Sequence, residues 1–153
     1  MKFGKAYNEI NIGDTAFIEK KIDENHVNTF AAIIGDLDSF HINEEIAKDM
    51  IFETRICHGM LIASFISPVL GRQLPGPGTI YVSQNVRFRA PVRIGDRIHV
   101  RVEVIEKMDR ERIKLKTIVK NQNNMLVVDG ECIVIPPKKN KNLLTTSFTY
   151  KNG

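Results

Sequence analysis

The segment IIGDLDSFHI, residues 33–42, sets two carboxylates, Asp36 and Asp38, and one imidazole, His41, between apolar runs. A carboxylate and an imidazole five positions apart form a proton-handling pair. Held beside a dry cleft, the acid is pushed up in pKa and the histidine down, which brings both towards neutrality, where general acid–base chemistry is most effective. The same residues have an ordinary reading as a turn acid after a helix-ending glycine and a histidine packed beside Phe40 and Ile42. A second feature is His58-Gly59, which opens a long apolar segment. The first N–H groups of a helix lack internal partners and carry the positive end of its dipole, so a carbonyl oxygen gaining negative charge is stabilised there. Gly59 permits close approach of such a group, or equally close packing of the helix. Ser67, two turns further on, either hydrogen-bonds a ligand or satisfies a carbonyl of its own helix.

These residues need elements to hold them. Gly13 to Ile22 mixes β-branched and charged residues and reads as a strand. Asp23 then offers a helix N-cap, Val27, Phe30, Ala31 and Ile34 recur at helical spacing, and Gly35 supplies the stop, so this helix delivers Asp36. A short helix is expected over Glu44 to Met50, capped by Asn43. His58 to Gly71 is apolar nearly all round, the pattern of one long helix buried on most sides. After the LPGPG loop the period changes to two. Strands are expected over Thr79–Arg89, Arg97–Met108, Ile113–Asn121 and Met125–Ile135, joined by turns at IGDR, MDRER and NQNN. An α+β domain follows, in which one curved antiparallel sheet of about five strands wraps a long central helix, because the apolar sheet face has nothing else to cover it.

A chain of 153 residues with ordinary apolar and charged fractions is one soluble domain. The pI of 9.1 comes from the C-terminal residues 138–153, which hold Lys138, Lys139, Lys141 and Lys151 and no acid. The other 18 basic residues match the 18 acids, so residues 1–137 form a neutral domain and the basic end reads as a flexible tail. Nucleic-acid binding, which needs a basic stripe on the folded surface, is not expected. No apolar segment is long enough to span a bilayer, and nothing at the start resembles a secretory signal, so a cytoplasmic protein is expected. Cys57 and Cys132 are too far apart in sequence, and too few, for a zinc pattern or a disulfide framework, and read as buried free thiols.

The run GDLDSFHI, followed by CHGMLIASFISPVLGRQLPGPGTIYVSQNVRFRAPVRIGDRI, resembles the MaoC-like dehydratases and (R)-specific enoyl-CoA hydratases, whose signature is Gly-Asp-x-Asn-Pro-aliphatic-His ahead of an HGM-type helix. The resemblance covers roughly Phe30 to Ile135. It implies a hotdog fold and a hydro-lyase that interconverts trans-2-enoyl-CoA and (R)-3-hydroxyacyl-CoA. Carried over by position, the catalytic acid falls on Asp36, the catalytic histidine on His41 and the thioester-carbonyl donor on the Gly59 amide. Ser67, Phe40, His58 and Met60 are expected to contact substrate. No metal is expected, because the acids and histidines show no helical His pair or His/Cys grouping at ligand spacing and the thioester carbonyl supplies the activation. No cofactor is expected beyond the coenzyme A carried by the acyl-CoA substrate, and the resemblance implies a homodimer with joined sheets and the site near the subunit interface. Arg87, Arg89, Arg93 and Arg97 are candidates for the coenzyme A phosphates, or serve solubility on the outer strand face. Three positions depart from the signature: Asp38 stands for Asn, Ser39 for Pro and Phe40 for an aliphatic residue. An added carboxylate is expected to push one acid pKa upward, and loss of proline to loosen the turn. A hotdog acyl-CoA thioesterase and a non-catalytic acyl-CoA-binding protein are the alternatives on the same scaffold.

Overall fold

The computed structural model describes residues 3–138. The basic tail expected at 138–153 therefore lies outside the described residues, apart from Lys138, whose Nζ is 3.1 Å from a Glu111 carboxylate oxygen. Five strands, β1 (Thr15–Lys21), β2 (Ile80–Phe88), β3 (Arg97–Met108), β4 (Arg112–Asn121) and β5 (Leu126–Ile135), form one antiparallel sheet in the order β1-β3-β4-β5-β2. The alternation read from the sequence is the alternation of burial. Val100, Val102 and Val104 on β3 and Leu115, Thr117 and Val119 on β4 face inward, and the intervening residues are exposed or half-buried. Thr117, a polar residue in this row, is satisfied by the Gln84 amide, whose Nε2 donates to its Oγ1 at 3.0 Å. Register shifts at Tyr81/Ser83, Val104/Glu106 and Val119/Lys120 bend the sheet into a trough.

Helix α1 (Glu24–Ile34) follows β1 and is bounded as its sequence indicates. The Asp23 side chain accepts from the His26 N–H, and Gly35 ends the helix at φ 78°, a left-handed position that glycine adopts without steric cost. Asn43 caps α2 (Glu44–Lys48), its Oδ1 accepting from the N–H groups of Glu45 and Ile46. The long central helix is a correction. It is two short helices, α3 (Gly59–Ser64) and α4 (Ile66–Arg72), that meet at Phe65. Pro68 is the reason: it has no N–H for the Ser64 carbonyl and its ring crowds that carbonyl, so the ladder breaks one turn ahead of it. Leu61, Ile62, Ile66, Val69 and Leu70 nevertheless all enter the core between the strands. Each such side chain contributes about 1.5–3 kcal/mol by leaving water, and truncating the wholly buried Ile66 to alanine costs about 2–5 kcal/mol. No described helix is long and apolar enough to cross a membrane.

One irregular segment matters for the site. Residues 54–58 run from the α2 region into α3 and are held by an isolated antiparallel bridge between Ile56 and Arg93 and by the Cys57 N–H, which donates to the Val92 carbonyl at 2.8 Å. This segment passes beside the Asp36–His41 loop, so residues about twenty positions apart meet there.

Candidate active site

The left-handed turn at Gly35 directs the chain away from α1, and the Asp36 N–H still closes onto the Ala31 carbonyl at 2.9 Å. The loop that follows is organised by Ser39. Its Oγ donates to Asp36 Oδ2 at 2.8 Å and accepts from the His41 N–H at 3.3 Å, while its carbonyl accepts from the N–H groups of Ile42 and Asn43, both at 3.0 Å. The loosening expected where proline is lost is thus countered by the two hydrogen bonds of the serine hydroxyl, which a proline could not make. Asp38 is exposed.

Asp36 and His41 are neighbours, though the hydrogen bond of the carboxylate to an imidazole is made with another residue. His58 Nε2 lies 2.7 Å from Asp36 Oδ2, and the His58 ring stacks on that of His41 with centroids 3.9 Å apart. Phe30 meets the His58 ring edge-on at 5.2 Å, and Phe40 leans on His41 at 4.1 Å. His58 is 6% exposed, and its Nδ1 is buried without a hydrogen-bond partner. One ligand-type atom from each of Asp36, His41 and His58 lies within 4.8 Å of the others. The sequence shows no metal-ligand grouping at helical or finger spacing, but the fold assembles one carboxylate and two imidazoles from positions 36, 41 and 58.

The ionisation of the pair differs from expectation at one partner. Asp36 is held below the ordinary carboxylate value, first by the Ser39 hydroxyl and next by His58, with burial opposing more weakly. The upward shift expected for an acid beside a dry cleft does not occur, because the Asp36 side chain keeps 36% of its surface exposed and takes two donors on Oδ2. His41 moves down as expected, chiefly through burial, although its bond to the Ile56 carbonyl pulls the other way. That bond, Nδ1 to carbonyl oxygen at 2.8 Å, fixes the tautomer: a carbonyl only accepts, so Nδ1 carries the hydrogen and Nε2 presents a lone pair.

Beside this cluster lies a largely apolar cavity of about 440 Å³. His41, Phe52, Ile56, Cys57, Gly59, Met60, Ile62 and Phe88 line it, with Arg89, Ala90, Pro91, Val92, Val127 and Val128. Asp36 is not a lining residue and connects to the wall through His58 and His41. At Gly59 the cavity meets the first turn of α3. The first N–H of that turn to find a carbonyl is Ile62, which bonds to His58, so the Gly59 amide lies ahead of the helical ladder. A β-carbon on Gly59 would lie 2.7 and 2.8 Å from two Phe88 ring carbons, so the glycine is required for this packing as well as for access.

The other expected contacts divide. Met60 lines the cavity and is 59% exposed, whereas Phe40 reaches it only through His41. Ser67 is exposed on the first turn of α4 and does not line the cavity, and the back-bond to a helix carbonyl is made instead by Ser64, whose Oγ donates to Leu61 at 2.6 Å. Arg89 lies at the cavity and is paired with Asp129 at 2.8 and 3.1 Å. Arg93 donates to the Phe52 carbonyl at 3.3 Å, and Arg87 and Arg97 are exposed. His58, expected to open the helix and contact substrate, does not line the cavity and instead bonds Asp36; that bond, the Ile56 carbonyl and Phe88 are not legible in the sequence, because all depend on long-range pairing.

The family model for the MaoC-like domain matches residues 11–125. The chain belongs to the MaoC-like family. It is 42% identical over 133 residues, 87% of the chain and 85% of the relative, to a 3-hydroxybutyryl-CoA dehydratase of Methylorubrum extorquens. It is 39% identical over 133 residues to an (R)-specific enoyl-CoA hydratase of Rhodospirillum rubrum, covering 87% of this chain and 92% of that one. Among solved structures, an unliganded R-hydratase from Pseudomonas aeruginosa superposes with a TM-score of 0.84 at 39% identity, over 89% of this chain and 88% of the other. These MaoC-like neighbours share the hotdog architecture, and the five-stranded sheet around α3 and α4 is its form here.

Proposed function

We propose that the chain is a hydro-lyase acting on acyl-CoA thioesters, adding water reversibly to trans-2-enoyl-CoA to give (R)-3-hydroxyacyl-CoA. The observation that carries this reading is the clustering of the Asp36 carboxylate with His41, whose Nε2 presents a lone pair, beside a largely apolar cavity that His41 and Gly59 line. The names of the 37–42% identical relatives support it.

Hydration needs a water deprotonated at C3, a proton for C2, and stabilisation of the enolate oxygen formed between the two events. A water lying between Asp36 and His41 donates its hydrogens to both. As the C3–O bond forms, one water O–H bond breaks and its proton passes to one of these acceptors, and the C2=C3 electron pair moves onto the thioester carbonyl. The Gly59 N–H donates to that oxygen. Return of the proton to C2 from the same acceptor completes the addition, with no other proton source needed. Each proton-transfer group is worth about 10²–10⁴-fold and the amide donor about 10²–10³-fold. His58 and Ser39 hold Asp36 ionised, so it starts as a base.

The exposed edge of β2, with Ile80, Val82 and Phe88 at 59, 42 and 51% exposure, supports a homodimer formed there, since an apolar strand edge is otherwise a liability. The test is incubation with crotonyl-CoA, following loss of the enoyl absorbance and the configuration of the product. Formation of (R)-3-hydroxybutyryl-CoA is expected. An S product, or release of free thiol in place of hydration, overturns the reading.

A further inference from the structure

We propose that Arg55 is a positioning residue for His41: its guanidinium ties the His41 main chain to helix α1 and thereby sets where Nε2 meets the reacting water.

The observations are independent of the acid–base pair. Arg55 Nε donates to the His41 carbonyl at 2.7 Å, one terminal nitrogen to Glu24 Oε1 at 2.5 Å and the other to Asn28 Oδ1 at 2.8 Å. Glu24 and Asn28 are four residues apart on one face of α1, so the planar fork of the guanidinium spans a rigid helix and a loop carbonyl at once. The Arg55 side chain is only 11% exposed, unusual burial for a guanidinium and consistent with its three acceptors. The second half of the clamp is in the adjoining main chain. Glu44, in the first turn of α2, accepts from the Thr54 hydroxyl at 2.9 Å and from the Arg55 N–H at 3.3 Å, and the next carbonyl, that of Ile56, takes the His41 Nδ1–H at 2.8 Å. Residues 54–56 therefore hold the 35–43 loop at α1, at α2 and at the His41 ring.

Arg55 does not itself line the cavity, and its donors go to the His41 carbonyl, Glu24 and Asn28, so it acts through His41. Without it the loop loses the tie on the main chain that carries the ring, and the ring bond to Ile56, which holds the tautomer, loosens with it. A displacement near 1 Å at a reacting group costs about a hundredfold in rate. Lysine is a poor replacement, because one ammonium on a flexible stem cannot present three donors in the plane of these acceptors.

This inference rests on the hydration reading of the site, so its test includes a measurement that needs no substrate. Arg55→Met, which keeps the stem and removes the donors, is expected to lower kcat about ten- to a hundredfold while KM stays within about twofold. Placed in the His41→Gln background, the same substitution is expected to change kcat by less than about twofold, because the group it positions is already gone. Imidazole nitrogen shifts are expected to report a pure Nδ1–H tautomer of His41 in the parent protein and a mixture in Arg55→Met. Equal losses in both backgrounds, a loss confined to KM, or an unchanged tautomer with unchanged kcat overturns the proposal. A parent protein that hydrates no enoyl thioester, yet loses the tautomer in the variant, overturns the function and leaves the positioning role standing. Should Arg55→Met fail to fold, Arg55→Lys is measured in the same way, with a smaller kcat loss that again vanishes in His41→Gln; a loss that persists there overturns the proposal.

Discussion

Gly59→Ala is the sharpest test of the amide donor. The added methyl would stand 2.7 Å from Phe88 Cε1 and 2.8 Å from Cδ1, whereas carbon–carbon contact is comfortable at roughly 3.5–4.0 Å, so one side must retreat by about 1 Å. The obstacle is the Phe88 ring and not backbone, so the cost in stability belongs at the low end of overpacking, about 1 kcal/mol, or about 2–4 °C in Tm for a domain of this size. The cost in rate is larger on either path. If the ring yields, the methyl sits over the amide and holds the thioester oxygen away from it. If the helix end yields, the amide itself moves by about 1 Å. Either way kcat for crotonyl-CoA is expected to fall about a hundredfold, the worth of one oxyanion donor. Stopped assays on the parent, Gly59→Ala and Gly59→Ala/Phe88→Leu separate the paths: the double variant restores stability, and it restores rate only if the helix end had moved. A Gly59→Ala enzyme with near-parental kcat/KM would refute the role of the amide.

Asp36→Asn and His41→Gln should each reduce kcat at least about a hundredfold in turnover assays, with unchanged far-ultraviolet circular dichroism. Because both groups must be unprotonated, kcat/KM should rise with pH along an acid limb whose midpoint lies below the ordinary histidine value of about 6.5, and stay flat above it. The same depressed His41 value makes the unfolded chain bind more protons in that window. Its contribution to stability is present above about pH 6.5 and is lost as pH falls through the folded-state value, so urea titrations at successive pH values should show a slope there that His41→Gln reduces. Burial pushes the Cys57 and Cys132 thiols up to about 12, so a thiol-specific disulfide reagent at pH 8 should label neither in the folded protein and both after denaturation.

What the sequence disclosed divides along a physical line. Alternation is a local property of sheet faces, so β3 and β4 were legible nearly to the residue, and Asp23 and Gly35 marked α1 because caps are local as well. The break at Phe65 was hidden: Pro68 was visible, but an all-round apolar pattern gives no phase by which to detect a change of helix axis. Asp36 and His41 share one loop, and their proximity could be read. The bond from His58 to Asp36 spans 22 positions and depends on the 54–58 segment docking against Val92 and Arg93, which no short-range pattern encodes. The direction of the Asp36 shift was misjudged for the same reason, since its sign depends on donors and not on the apolar neighbours in its own segment.

The orientation of His41 is entrusted to a peptide oxygen, that of Ile56, and not to a partner side chain. Position 56 can therefore drift among residues of similar bulk without disturbing the tautomer, whereas any change that reroutes the chain, such as a proline at position 57 in place of the N–H that grips Val92, would disarm the imidazole from a distance.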